Sequence, residues 1–277
     1  MHSTSHIVFP QGPQATGPEL ASFHVLPART PGTLAARRVC IETVHCEQHH
    51  RSANRLLQQR YSWRGYRSVR VPAPGSGEHL PLTATRDGQV IGTLTVGFDN
   101  PRGLNCDHSF ADEVQALRAA GQRLCEFTKL AVQADEASVQ VLAALFHVGF
   151  LAARRLQRVD TVLLEVNPRH VRYYQRMLGA EVVGRERSNA CVDAPAVLLA
   201  IASAHIRRQI NLAMWPRPTL AAERSLYAQA FNPAEECAIL ARLSAQLAAA
   251  PAAFGRTAAQ QPFAFRLPVA AAAAPPA

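Results

Sequence analysis

The sequence predicts an α/β (α+β) protein in which a mixed sheet carries helices on its faces. Three observations predict this class. Two alternating apolar runs at residues 78–98 flank Asp87-Gly88, a hairpin signature. A long stretch of 3.6-residue apolar period, 135–160, stands between two short strand-like runs. Two further apolar runs then close the ordered part of the chain, and strands alternating with helices in this way pack as layers about one sheet.

Taken in order, residues 1–32 are rich in Pro, Gly, Ser and His and read as a mobile arm. From about Thr33 to Tyr61 the pattern is helical, with a break at "HHRSAN". The hairpin follows, then a loop "DNPRGLNCDHSF" and a short helix "ADEVQALRAAG" closed by Gly121. "RLCEFTKLAV" reads as a strand. The helix after it places Val139, Leu142, Leu145, Phe146, Phe150 and Leu151 on its apolar face, with Asp135 and Glu136 at its positive end and Arg154, Arg155 and Arg158 at its negative end. "TVLLEV" is a buried-type strand, "PRHVRYYQRMLG" a helix, and "AEVVGRER" and "APAVLLAIAS" are strands. Pro168 suits a first helical turn that Asn167 can cap. "RPTLAAERSLYAQAF" and "PAEECAILARLSAQLAAA" read as amphipathic helices, followed by an Ala/Pro tail. The division is an arm to 32, a core domain over 33–206, a helical extension over 207–250 and the tail over 251–277.

Composition narrows the partners. The net charge is +9, and every one of the 29 basic side chains except Lys129 is arginine. Such an excess favours an acidic partner. No nucleic-acid-binding signature accompanies it, and only "RYSWRGYRSVR" interleaves aromatics with arginine, so no nucleic acid is expected. No window reaches the roughly 18 apolar residues of a membrane helix. The N-terminus is a poor secretory signal, so a cytoplasmic location is expected. The six cysteines form no CxxC pair and read as free thiols. "CIETVHCEQHH" clusters Cys40, His45, Cys46, His49 and His50, but a histidine-rich amphipathic helix is the simpler reading, and no metal site is expected.

The spacing of Asn167, Tyr174 and Leu178-Gly179 resembles the late strand–helix signature of the Gcn5-related N-acetyltransferase (GNAT) fold. One residue more than usual separates Tyr174 from the glycine, as in the branch of the long-chain N-acyl amino acid synthases, which are related to the acyl-homoserine-lactone synthases. "RLLQQRYSWRGY", "GTLTVGFDNPRGLNCDHSF…CEFTKLAV" and "LLEVNPRHVRYYQRMLGAE…DAPAVLLAI" are similar to that branch over roughly residues 50–203. Thr128 and Lys129 stand where the family has Ser and Arg; the hydroxyl and the charge are kept, the planar fork is lost.

The resemblance implies a mostly antiparallel mixed sheet and N-acylation of an amino acid by a fatty acyl group held on acyl carrier protein. It makes Glu126 a candidate base and Tyr174 either the acid for the departing thiolate or a packing aromatic. Thr128, Lys129 and Asn167 become candidate substrate contacts, Asn167 equally a helix cap. The turn "VQADEASVQ" lacks the glycines whose amides hold pyrophosphate, and its two carboxylates repel one. This disfavours coenzyme A thioesters; no resident cofactor is expected. Arg154, Arg155, Arg158, Arg169 and Arg172 are candidate contacts for the acidic carrier, and the lipid product would allow loose membrane association. Other amine acceptors, a coenzyme A-dependent acetyltransferase and an inactive carrier-binding module are the competing readings.

Overall fold

The computed structural model describes residues 6–7, 23–26, 39–44, 46–62, 69–73, 77–133, 138–189, 193–214 and 225–249. Within them the hairpin grows into a sheet of nine strands, ordered β1-β2-β3-β4-β5-β6-β7-β9-β8. The strands are β1 (His6–Ile7), β2 (Phe23–Leu26), β3 (Val39–Thr43), β4 (His79–Arg86), β5 (Gln89–Phe98), β6 (Leu124–Val132), β7 (Thr161–Val166), β8 (Glu181–Asn189) and β9 (Ala194–Ala202). The helices are α1 (Glu47–Ser62), α2 (Asp107–Ala119), α3 (Ser138–Gln157), α4 (Val171–Leu178), α5 (Ser203–Ala213) and α6 (Pro233–Ala249), with 3₁₀ turns at Pro168–His170 and Leu226–Gln229.

Every neighbouring pair is antiparallel except β6 and β7. These two run parallel because α3 carries the chain from one to the other, the crossover a parallel pair requires. α3 earns its place by composition: Leu145, Val148, Phe150 and Leu151 are buried, each worth about 1.5–3 kcal/mol on full burial. It is apolar and long enough to pass for a membrane span over Val139–Gln157, yet two-thirds of that window is buried against the sheet and the C-terminal segments.

The two faces of the sheet have separate cores. One holds Leu104, Cys106, Phe110 and Val114 around α2, against Leu124, Leu163 and Leu198. The same face continues under α1, whose Ala53, Leu56 and Leu57 meet Ala131. The opposite face holds α3, α4, α5 and α6 over Phe127, Val162, Leu164, Leu199 and Ile201.

Five expectations are corrected. Residues 33–61 are not one helix: Val39–Thr43 is a strand paired with β4, and α1 runs unbroken through "HHRSAN". Two alternating buried positions, Val39 and Ile41, carry that strand into the core, where a five-residue run was too short to stand out. A helix, α5, begins directly at the end of β9, before the chain was expected to leave the core domain. Of "RPTLAAERSLYAQAF", the described part is a 3₁₀ turn; residues 217–224 lie outside the described residues. β1 and β2 fall inside the stretch read as a mobile arm; β1 pairs with β2, and β2 pairs with β3. Val139, placed on the apolar face of α3, is 45% exposed.

Candidate active site

β6 and β7 stay paired for three residues only, Leu124 to Glu126 against Thr161 to Leu163. β6 runs six residues further and β7 three, so the strands part just after Glu126. The parting places a carboxylate at the floor of a gap in the sheet.

Glu126 is 2% exposed, an arrangement that costs heavily unless the charge is bonded. Two donors meet it: Asn105 Nδ2 donates to Oε1, and the Cys106 backbone N–H donates to Oε2 at 3.1 Å. Both come from the loop between β5 and α2, and Arg118 holds that loop. Its guanidinium donates to Asp99 at 2.7 and 2.8 Å and to Asp107 at 2.6 and 2.7 Å. Asp107 in turn accepts the Leu104 N–H at 2.6 Å. Burial would raise the Asp107 carboxyl, but the Arg118 bonds outweigh it and hold it below the usual range. The Arg118 bonds thus fix where Asn105 and Cys106 stand, and these two fix the Glu126 carboxylate.

The neighbouring strand makes room. Gly97 of β5 pairs with Glu126, and a Cβ there would lie 2.9 Å from Glu126 Cγ and 3.0 Å from Oε1. On the other side of Gly97 its partner is His79 of β4. Residues paired across antiparallel strands share a face, so His79 and Glu126 flank Gly97. Burial, then the Lys129 cation, pushes the His79 imidazole below its ordinary value, against the pull of Glu126. Pro81, Thr95 and Thr128 form the next row on that face. Thr95 is fully buried, and its hydroxyl has no hydrogen-bond partner among the described residues.

The register of β5 and β6 shifts between Thr95 and Thr93, opposite a bulge where Lys129 adopts φ +52°. This turns the ammonium back towards the Thr128 hydroxyl, 3.5 Å away. Burial lowers the Lys129 pKa, and Glu126 opposes the fall. Across the gap, Glu165 on β7 accepts from Asn189 Nδ2 at 2.6 Å, and burial raises its carboxyl. Cys106 and Cys125 flank Glu126; burial, then the Glu126 charge, pushes both thiols up, so they stay protonated.

Tyr174 approaches from the opposite face. It is half-buried in the α3-side core, with its ring 6.2 Å from Phe146 and 5.4 Å from Tyr173. α4 ends at Gly179, φ +65°, where a side chain would run into His205. Tyr173 is 38% exposed and points away from the core. Asn167 caps the 3₁₀ turn: its Oδ1 accepts the Arg169 N–H at 3.3 Å and its Nδ2 donates to the Pro195 carbonyl at 3.4 Å.

The five arginines do not form one patch. Arg154, Arg155 and Arg158 lie before β7, and Arg169 and Arg172 lie after it. Six residues of strand set the groups on the order of 20 Å apart. Only Arg169 and Arg172 stand at the end where β6 and β7 have separated. Trp63, Tyr66 and the turn with Asp135 and Glu136 lie outside the described residues. His49 and His50 take different partners, the Glu42 carboxylate at 3.5 Å and the Val71 carbonyl at 2.8 Å.

Sequence reading thus named Glu126 and the residues beside it but missed Asn105, Arg118, His79 and Glu165. The loop "GLNCDHSF" carried a signal for Asn105 and Asp107, because it resembles a family motif. The other three come together only through strand register and helix packing.

Residues 52–202 match the family model described as the N-acyl amino acid synthase FeeM. The solved structure of FeeM, from uncultured soil microbes, superposes at TM-score 0.55 with 22% identity, covering 62% of this chain and 94% of its own. An acyl-CoA N-acyltransferase from Pseudomonas aeruginosa aligns at TM-score 0.41 and 15% identity, over 60% of this chain and 99% of its own. The acyl-homoserine-lactone synthase LasI aligns at 0.43 and 12%, over 61% and 91%. No match is found among curated proteins. With more than half its length matched to that family model, the chain belongs to the FeeM family of N-acyl amino acid synthases and is a GNAT-fold N-acyltransferase.

Proposed function

We propose that the protein transfers a long-chain fatty acyl group from acyl carrier protein to the amine of an amino acid. The observation that carries this reading is the buried Glu126 carboxylate, aimed by Asn105 and Cys106 at the point where β6 and β7 part.

In the proposed reaction Glu126 takes a proton from the acceptor's ammonium. The freed nitrogen lone pair attacks the thioester carbonyl carbon, and the second amine proton passes to solvent water as the tetrahedral adduct collapses. The C–S bond breaks, and the departing thiolate takes a proton from the Tyr174 hydroxyl, which solvent restores. An amino acid also brings a carboxylate, and Lys129, on the strand of Glu126, supplies the matching charge. The Thr95 and Thr128 hydroxyls offer hydrogen bonds to the same substrate. Holding amine and thioester in line supplies on the order of 7–11 kcal/mol of the barrier reduction. Proton transfer adds about 10²–10⁴-fold.

The carrier as donor is supported by the +9 charge and by Arg169 and Arg172 at the open end of the gap. A cytoplasmic site of action fits a carrier-bound donor, and the acylated product would bring the enzyme into loose contact with membrane.

The test is direct. Purified protein is incubated with palmitoyl-acyl carrier protein or palmitoyl-coenzyme A and a mixture of amino acids, and N-acyl products are sought by mass spectrometry. Product from the carrier alone is expected. Product from coenzyme A alone would replace the donor, and none from either would overturn the reading. Glu126→Gln should lower kcat by about 10²–10⁴-fold with the circular dichroism spectrum intact. An unchanged kcat removes Glu126 as the base.

A further inference from the structure

Opposite the Glu126 face, a small apolar cavity lies beneath the parting. Phe127, next to Glu126, and Val162, next to Leu163, form its roof. Phe146 leads to it: its ring is 5.5 Å from Phe127 and 6.2 Å from Tyr174. The far wall is different in origin. Ile210 of α5 and Leu226, Tyr227 and Ala230 of the segment before α6 line it, and all four lie outside the family-matched residues 52–202.

This wall is bolted in place. The Tyr227 hydroxyl donates to the Leu178 carbonyl at 2.8 Å, and Ser225 Oγ donates to the Met177 carbonyl at 3.3 Å. On the other side the Phe231 N–H donates to His147 Nδ1 at 3.1 Å, and His147 Nε2 meets Glu236 at 3.0 Å. Arg207 donates to both oxygens of Glu236 at 2.8 Å. His147 brings the one ionisable ring in the lining apart from the Tyr227 phenol, and both of its nitrogens and the phenol oxygen are already bonded. What remains exposed to the cavity is hydrocarbon, which suits an alkyl chain and no polar ligand. The space is about 30 Å³.

We propose that the C-terminal extension is the end wall of the acyl-chain pocket, and that Ile210, Leu226 and Tyr227 set the longest chain the enzyme accepts. The inference rests on the acyltransfer reading above. The chain enters through the gap beside Tyr174, passes Phe146 and Phe127, and stops against the extension.

Each methylene buried should raise affinity about four-fold until the chain meets the wall, where the gain stops. Binding of free saturated fatty acids from eight to eighteen carbons is measured by calorimetry, and turnover is measured with the matching acyl thioesters. Leu226→Ala should move the break about two carbons longer, and Ala230→Leu should move it shorter. Ile210→Ala, on another element, repeats the first test should Leu226→Ala not fold. A break at the same length in folded variants, or no fatty-acid binding at all, overturns the proposal. Product formation with an unmoved break leaves the acyltransferase standing without this wall. A moved break with no product from any thioester leaves the wall and removes the enzyme reading.

Discussion

Gly97 shows how closely this site is fitted. The position has extended backbone that any residue can adopt, so its constraint is space rather than conformation. Adding one methyl would push against Glu126 Cγ and Oε1 and turn the carboxylate off its two donors. Gly97→Ala should therefore cut kcat by about 10²-fold while the melting temperature changes little, because a misplacement of about 1 Å is enough for such a loss. A melting temperature that falls with activity would mean that Gly97 serves folding instead. At this scale the sequence was partly legible. Glu126 stood out as a lone carboxylate between Leu124, Cys125 and Phe127, whereas Arg118 looked like any solvent-facing helix arginine. Its bonds reach 19 residues back to Asp99 and 11 back to Asp107, a closure that no local pattern contains.

Among the elements, α6 meets α3 through a partly buried hydrogen bond between His147 Nε2 and Glu236. Burial keeps the His147 pKa below its ordinary value, while its unfolded counterpart titrates near 6.5. As pH falls from about 7 the unfolded chain gains a proton that the native chain resists, so native stability declines. Burial also raises Glu236, but the His147 and Arg207 bonds outweigh it and leave its pKa lowered. Its contribution is present above about pH 4.5 and is lost as pH falls further, the same direction. Thermal melts should show the midpoint dropping by a few degrees between pH 7.5 and 5.5, and His147→Gln should flatten the slope over that range. An equal slope in both proteins would dissociate His147 from the effect. The elements from β4 to β9 were legible because each has a long period or a turn signal, such as Asp87-Gly88 with φ of +51° and +75°. β3 was not, since five residues with two inward positions give too little periodicity. α5 was hidden because it follows β9 with no punctuating glycine or proline.

For the whole molecule, the +9 charge matters only where it is placed. Arg169 and Arg172 border the open end of the gap, while Arg154, Arg155 and Arg158 sit at the far end of β7. Reversing the first pair, Arg169→Glu with Arg172→Glu, should raise KM for an acyl carrier protein substrate about ten-fold with kcat held, and should weaken its salt dependence. Reversing Arg154 and Arg155 should leave KM nearly unchanged. Equal effects from both pairs would mean that net charge, not position, attracts the carrier. Composition announced an acidic partner but could not say which end of the molecule it meets; that follows from the direction of β7.

The early separation of β6 from β7 has one more consequence. It creates two edge strands inside a sheet, each with backbone N–H and C=O groups turned towards a gap rather than a neighbour. Exposed edges normally invite pairing with other chains. Because β6 keeps β5 and β7 keeps β9 on their other sides, these edges lie inside the sheet rather than at its margin, where pairing with another chain begins.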